Sequence, residues 1–246
     1  MTAKRSSAPA QGGLDAALGV DYTSVCGAKR DRDPMFTGIV TEIGTLRRRR
    51  SLPGGGVSVT IACDAIVSSL EPGASVCVAG VCTTVTELGH DEFSTDLSLE
   101  TLRRTTLGDL TAGARVNLEP SLRADQALSG HLVAGHVDGI GQVTRWDRSG
   151  QGILAQWEAP DEAAGLLVEK GSVAVDGVSL TPYGVRGARF SASLIPETLA
   201  RSTLGTLRVG AKVNIEADLL AKYAQKAAPG TEGVTLDLLR RAGFLD

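Results

Sequence analysis

The side chains best suited to chemistry fall in two short phrases. "AGVCTTVTE" (79–87) carries a thiol, Cys82, beside Thr84, and "VDGVSLTPY" (175–183) carries Ser179 beside Thr181. A thiol and a hydroxyl in matching places could each act as a nucleophile on a bound molecule. A cysteine is equally a small core filler, and that reading stands beside the chemical one. "SGHLVAGHVDG" (129–139) adds His131 and His136, five residues apart, so on a strand they point to opposite faces and would not share a metal ion. With no acidic or cysteine ligand set nearby, no metal is expected. Each histidine is either a hydrogen-bonded structural group or a proton carrier, since its ordinary pKa lies near neutrality. Asp218 follows "VNIE" and either caps the helical pattern from Leu219 or belongs to the same chemistry.

These phrases recur at a fixed spacing. Gly38 and Gly135, Gly44 and Gly141, Gly80 and Gly177, Thr84 and Thr181, and Phe93 and Phe190 are each 97 residues apart. "LETLRRTTLGDLTAGARVNLE" (99–119) lies on "PETLARSTLGTLRVGAKVNIE" (196–216) at the same spacing. The chain is one unit written twice, over about 35–131 and 132–218. The copies part company where chemistry could sit: Cys82 against Ser179, Ile39 against His136, and Ser121 against Asp218. Two such pockets would bind the same kind of molecule and treat it differently.

The elements that must position these groups are short. Each unit holds runs such as "VSVTIAC", "ASVCVAGVCTTVTEL" and "EFSTDLSL", rich in Val, Leu and Thr and separated by Gly, Pro or Asp. Six or so antiparallel strands would leave costly open edges unless the sheet closes. The expected fold is all-β: two tandem six-stranded Greek-key barrels followed by a C-terminal helix. One short helix per unit is expected in 65–75 and 161–172. "RRRRSLPGGG" (47–56) reads as a solvated hairpin tip rather than a nucleic-acid patch. "LLAKYAQKAA", broken by Pro229-Gly230, and "VTLDLLRRAGF" read as two helices in a segment 219–246 that packs on another subunit or folds back on its own barrel. Residues 1–34 are small and polar without period and are expected to be disordered, with Met35 an alternative start.

Composition narrows the function classes. Of 246 residues 42% are hydrophobic and 30 are glycine, which suits many strands joined by tight turns. A net charge of -3 and a pI near 5.7 give no electrostatic reason to expect nucleic acid or an anionic membrane. No apolar run reaches the length of a membrane span, and no secretory pattern opens the chain. Cys26, Cys63, Cys77 and Cys82 have neither disulfide-framework nor zinc spacing and are expected as reduced thiols in a cytoplasmic protein.

Seven phrases taken in order resemble the riboflavin synthase alpha chain family, built from two lumazine-binding repeats. They are "MFTGIV" (35–40), "GVCTTVT" (80–86), "LETLRRTTLGDL" (99–110), "SGHLVAGHVDG" (129–139), "KGSVAVDGVSLT" (170–181), "IPETLARSTLG" (195–205) and "VNIEAD" (213–218). The resemblance implies a dismutation of two 6,7-dimethyl-8-ribityllumazine molecules to riboflavin and 5-amino-6-(D-ribitylamino)uracil. It implies no metal or organic cofactor. It also implies a homotrimer joined by C-terminal helices, with each active site between the amino-terminal barrel of one chain and the carboxy-terminal barrel of a neighbour. An association with lumazine synthase is a further partner it raises.

Carried over by motif, Phe36, Ser75, Cys82, Thr84 and His136 fall on the amino-terminal side of the chemistry. Ser179, Thr181, Lys170 and Asp218 fall on the other. The resemblance places substrate contacts at Gly38, Ile39 and Val40, at Cys82, Thr83 and Thr84, and at Asp96, Leu97, Ser98, Leu99, Glu100 and Thr101. It places matching contacts at Gly135, His136 and Val137, at Ser179, Leu180 and Thr181, and at Leu194, Ile195, Pro196, Glu197 and Thr198. Lys170 would reach the ligand of a neighbouring chain. Ala79, Thr83 and Pro182 depart from the family pattern of Asn, Leu and a β-branched residue. The competing class is a non-catalytic lumazine or flavin carrier on the same fold, and retention of Phe36, Cys82, His131, His136, Ser179 and Asp218 favours the enzyme. A flavin reductase would need a nicotinamide-binding domain, for which the sequence has no pattern.

Overall fold

The computed structural model describes residues 34–227 and Arg240. The expected N-terminal tail up to Asp33 and the second C-terminal helix, Arg240 apart, lie outside the described residues.

The first repeat closes on itself. Strands β1 (Glu42–Ser51), β2 (Val57–Ala62), β3 (Ser75–Val78), β4 (Val81–Leu88), β5 (Glu92–Leu97) and β6 (Arg115–Pro120) form an antiparallel barrel in the order β1-β2-β5-β4-β3-β6. Alternation sorts the side chains of β4: Val81, Thr83 and Val85 are buried, while Cys82 is half-buried and Thr84 exposed. Closure leaves the barrel no unpaired edge. Its interior is filled by Leu46, Ile61, Val78, Phe93 and Leu118, among others.

The second repeat follows the same plan with one interruption. Strands β7 (Gly139–Ser149), β8 (Gly152–Glu158), β9 (Val173–Val175), β10 (Val178–Leu180), β11 (Tyr183–Arg186), β12 (Arg189–Leu194) and β13 (Lys212–Ala217) run in the order β10-β9-β13-β7-β8-β12-β11. Together β10 and β11 correspond to β4, so the two ends of this sheet are consecutive stretches of chain parted at Thr181-Pro182. In the first barrel Val85 donates its N–H to the Ala74 carbonyl at 2.9 Å. Its counterpart Pro182 has no N–H to give, and the ladder breaks there. The reciprocal bond survives: Gly73 N–H to Val85 O at 2.8 Å recurs as Lys170 N–H to Pro182 O at 2.9 Å. The second core centres on Trp157, stacked on Phe190 with ring centroids 5.4 Å apart.

Both first strands carry a bulge at the same place, between Leu46 and Arg48 and between Val143 and Arg145. The arginine run lies on β1 and is exposed. Arg47 pairs with Asp91 and Glu92, Arg48 with Glu92, and Arg49 donates to the carbonyls of Leu107 and Leu110.

The helices differ from expectation. The helix expected in 65–75 is a single 3-10 turn at Val67–Ser69, after which Leu70 is already extended. That expected in 161–172 is α only over Asp161–Ala164 and stops at Gly165. Each repeat instead carries a helix after its fifth long strand, Leu99–Arg104 and Pro196–Arg201. Ser98 caps the first by accepting the Thr101 N–H, and Pro196 starts the second with a preset φ. The last described helix is Leu219–Ala227.

Candidate active site

The two repeats are locked together about a local twofold axis, and each lends its opening residues to the other. Phe36 and Val133, equivalent positions, exchange backbone hydrogen bonds at 2.8 and 3.0 Å. Just beyond them, Ser179 N–H donates to Gly38 O at 2.8 Å, and Cys82 N–H donates to Gly135 O at 2.9 Å. The first repeat's opening segment thus lies on β10 of the second, and the second's lies on β4 of the first.

Both contacts demand glycine. At φ +75, a Cβ on Gly38 would stand 2.6 Å from Ser179 Cβ, and one on Gly135 2.6 Å from Cys82 Cβ. The hairpin turns at Gly80 and Gly177 meet on the same axis, where a Cβ on either would lie 2.8 Å from the other's backbone nitrogen.

Buried polar groups hold these segments in place. Glu119 accepts the N–H groups of Thr37 (2.7 Å) and Gly38 (3.0 Å) and the Thr37 hydroxyl (2.7 Å). Its counterpart Glu216 accepts from Ala134 (2.8 Å) and Gly135 (3.0 Å), and has no hydroxyl to meet because Ala134 stands where Thr37 did. Burial pushes the Glu216 carboxyl up to about 7, against the pull of the Ala134 amide. Burial raises Glu119 also, opposed by its bonds from Thr37 and Gly38. Asn117 Nδ2 donates to the Asp176 carbonyl at 2.9 Å, and Asn214 Nδ2 to the Ala79 carbonyl at 2.7 Å. Their Oδ1 atoms accept from Thr203 and Thr106 of the opposite repeat at 2.7 and 2.8 Å. Four reciprocal bonds across one interface fix its register.

Two related candidate pocket sites result, each where a segment from one repeat lies on a strand of the other. In the first, Ser75 and Cys77 on β3 face Thr84 and Cys82 on β4 in cross-strand pairs, with Gly135 and exposed His136 alongside. Cys77 itself is buried, and burial together with Glu119 and Glu216 holds its thiol well above the ordinary range. In the second, Ser179 and Thr181 sit under Gly38 and the half-exposed Ile39, and His131 Nδ1 lies 2.7 Å from Ser179 Oγ. A 290 Å³ cleft beside this segment runs between Thr37–Thr41 and linker residues such as Leu122 and Gln126, and takes in Ile39 but not Ser179.

This doubled arrangement has relatives. The lumazine binding domain family matches twice, at residues 37–121 and 134–218. Riboflavin synthase of Bacillus subtilis is 39% identical over 189 residues, covering 77% of this chain and 87% of that protein. Riboflavin synthase of Photobacterium phosphoreum is 37% identical over 218 residues, 86% of this chain and all (100%) of that one. The chain belongs to the riboflavin synthase family. A similar fold occurs in the crystal structure of LumP complexed with 6,7-dimethyl-8-(1'-D-ribityl) lumazine, with a TM-score of 0.67 and 23% identity, covering 74% of this chain and 98% of that one.

Within this riboflavin synthase frame the sequence-based site residues fall into three groups. Ser75, Cys82, Thr84, Gly135 and His136 are brought together at the first pocket, and Gly38, Ile39, Ser179 and Thr181 at the second. A second group turns inward. Phe36 is wholly buried on the twofold axis with Cys77, Val133 and Ala174, so it supports the site by packing rather than by reaching a ligand. Thr83 gives its hydroxyl to the Val76 carbonyl at 3.0 Å, inside the barrel. Val40, Leu97, Leu180 and Leu194 are buried core residues, and Val137 packs on the first core.

The third group rims the barrels. Asp96, Ser98, Leu99 and Glu100 are exposed and Thr101 half-buried where β5 passes into Leu99–Arg104. Ile195, Pro196, Glu197 and Thr198 repeat that rim in the second copy. Lys170 is exposed, adopts φ +63 where the first repeat has Gly73, and holds its ammonium 5.5 Å from the Tyr183 ring. Asp218 does cap the last helix, accepting the Leu220 N–H at 3.0 Å, and its charge also reaches His131.

Glu119, Glu216, Asn117 and Asn214 were missed as site-building residues, and the hydrogen bond between His131 and Ser179 was not foreseen although both residues were named. The signal was the phrase "VNLE" and its copy "VNIE", which places two polar residues in a strand otherwise fit for a core. Among the described residues no cluster of His, Cys, Asp and Glu could hold a metal ion, and no helix is long and apolar enough to cross a membrane.

Proposed function

We propose that this chain is a riboflavin synthase that dismutates two molecules of 6,7-dimethyl-8-ribityllumazine to riboflavin and 5-amino-6-(D-ribitylamino)uracil. The observation that carries the reading is an unequal pair of pockets in an equal frame: Cys82 under Gly135, Ser179 under Gly38. A reaction between two copies of one molecule needs a donor and an acceptor, and a symmetric frame with different side chains supplies that distinction. The relatives named riboflavin synthase add support along most of the chain.

The chemistry balances without an outside oxidant or reductant. A proton leaves the C7 methyl of one lumazine, the other is activated by addition at its C7, and four carbons of the donor complete the new ring as the diaminouracil departs. Holding the two rings face to face makes an otherwise bimolecular encounter nearly unimolecular. His136 beside the first pocket is the candidate proton carrier, and Cys82 and Ser179 are the candidate nucleophilic or hydrogen-bonding groups.

Both pockets open outward on a single chain, so bringing two ligands together requires a second chain. A homotrimer meets that need, and Leu220 and Tyr223, 64% and 65% exposed on Leu219–Ala227, offer the apolar contact. A cytoplasmic location and an association with lumazine synthase complete the proposal.

The test is to incubate purified protein with the ribityllumazine and follow riboflavin fluorescence without added cofactor. One riboflavin formed per two lumazines consumed is expected. Tight binding with no turnover would mean a carrier instead.

A further inference from the structure

Cys77 has no part in the chemistry proposed above, yet it stands opposite Cys82, which does. The register of β3 and β4 pairs the two cysteines directly, one step back from the turn that joins Val78 to Val81. Ala79 and Gly80 in that turn have φ of 48 and 84, as a two-residue hairpin requires, so Val78 and Val81 form its hydrogen-bonded pair. Cys77 and Cys82 then form the next pair, which is not hydrogen-bonded. The backbone agrees: Cys82 N–H donates to Gly135 O at 2.9 Å, away from β3. A pair of this kind sets its Cα atoms about 4.5 Å apart with both side chains on one face, within the span of a disulfide. Both cysteines pack in one small cluster with Phe36, Val133 and Ala174, and both are thiols in this structure.

The two sulfurs are unequal. Cys82 is half-buried at the first pocket, whereas Cys77 is 2% exposed. Burial, with the Glu119 and Glu216 charges, keeps the Cys77 thiol protonated. An oxidant from solvent therefore meets Cys82 first, and Cys77 acts second. The second repeat has Ala174 and Ser179 at the matching positions and cannot make this bond.

We propose that Cys77 and Cys82 are a reversible redox pair, closing a disulfide across β3 and β4 that withdraws the Cys82 thiol from the first pocket. The oxidant is a low-molecular-weight disulfide. Cys82 loses its proton to solvent and attacks one sulfur of that molecule, forming a mixed disulfide and releasing one thiolate. Cys77 gives its proton to the released thiolate, attacks the Cys82 sulfur and expels the second thiolate, which is protonated from solvent. Two protein thiols are oxidised, and one small disulfide is reduced to two thiols. The bridge encloses only residues 78–81, so it gains little from restricting the unfolded chain and small thiols can reverse it. Its effect on turnover rests on the two-lumazine reading; its formation does not.

The test incubates the full chain with oxidised glutathione, blocks the remaining thiols with iodoacetamide and cleaves after glutamate. Cuts at Glu71 and Glu87 isolate residues 72–87, which hold Cys77 and Cys82 without Cys63. This peptide should appear unalkylated and lighter than its dithiol form by the hydrogens lost, and dithiothreitol should return both thiols to alkylation. In Cys77→Ala, which copies Ala174, the glutathione should stay on Cys82, because no second thiol expels it. Riboflavin formation by the parent should fall about tenfold or more as the bridge accumulates, and return with dithiothreitol.

Alkylation of both cysteines after oxidation, a mixed disulfide that persists in the parent, or full turnover with the bridge closed would each overturn the proposal. A parent chain that forms the bridge but makes no riboflavin even when reduced would defeat the two-lumazine reading and leave the redox pair standing.

Discussion

The first barrel closes through Val85 and the second is interrupted at Pro182, yet the interface between them is built from residues at equivalent positions. Glu119 and Glu216, Asn117 and Asn214, Gly38 and Gly135 do the same work at equivalent positions. Most inequalities lie at the pockets and beside them, Cys82 against Ser179, Pro34 against His131 and Gly73 against Lys170, while Ala79 against Asp176 and Thr37 against Ala134 fall within the interface. Each interface Asn or Glu makes two or three hydrogen bonds, so a change at any one of them leaves at least two buried groups unmet. The pocket residues carry no such double constraint and are free to diverge.

That comparison can be broken most severely at its shared hinges. Gly38→Val and Gly135→Val should each cost at least about 4 kcal/mol, combining a left-handed backbone with a Cβ in contact with the opposing strand. The two losses should be similar, and urea unfolding measures both. A mild effect at one site alone would mean that the two segments are not held alike.

Asp176 probes an unequal position. It is buried at the twofold axis, and burial raises its carboxyl to about 7, opposed by a bond from the Asn214 N–H. The folded chain therefore retains this proton while the unfolded chain releases it from an ordinary pKa of 3.8. Stability is lost as pH rises from about 4 to about 7 and levels off above, by an amount on the order of 4 kcal/mol. Asp176→Asn should remove that fall. A difference curve between variant and parent that is flat across this window would show that the carboxyl titrates normally.

The two glutamate clamps differ by one bond. Glu119→Ala leaves three buried donors unmet and Glu216→Ala two, so the first should be the more destabilising, by about 1–2 kcal/mol. Adding the missing hydroxyl with Ala134→Thr should narrow the gap. The smallest effect is expected at the strand break: Pro182→Val restores an N–H opposite Gly171 and should add about 1 kcal/mol with slower amide exchange at position 182. Exchange as fast as in the flanking turn would mean that the second barrel stays open for some other reason.

Much of this comparison is legible in the sequence, since a constant spacing of 97 residues aligns every functional difference before any coordinate is known. The strands follow from β-branched runs, and the barrel follows from their number. The exchange of opening segments does not, because no residue pattern says which repeat "FTG" or "VAGH" will lie against. Phe36 looked like a group beside the chemistry and is instead the packed centre of that exchange. The helices at 99–104 and 196–201 were overlooked although Ser98 and Pro196 mark their starts. His131 has the same composition signal as His136, and only the fold separates a buried ring bonded to Ser179 from an exposed one.

The measurement that meets the central claim most directly is a calorimetric titration with a ribityllumazine analogue bearing an oxo group at C7, which lacks the methyl needed to donate carbon. Two analogues per chain with distinct affinities are predicted, one altered by Cys82→Ala and the other by Ser179→Ala. A single class of sites that responds alike to both substitutions would contradict the account.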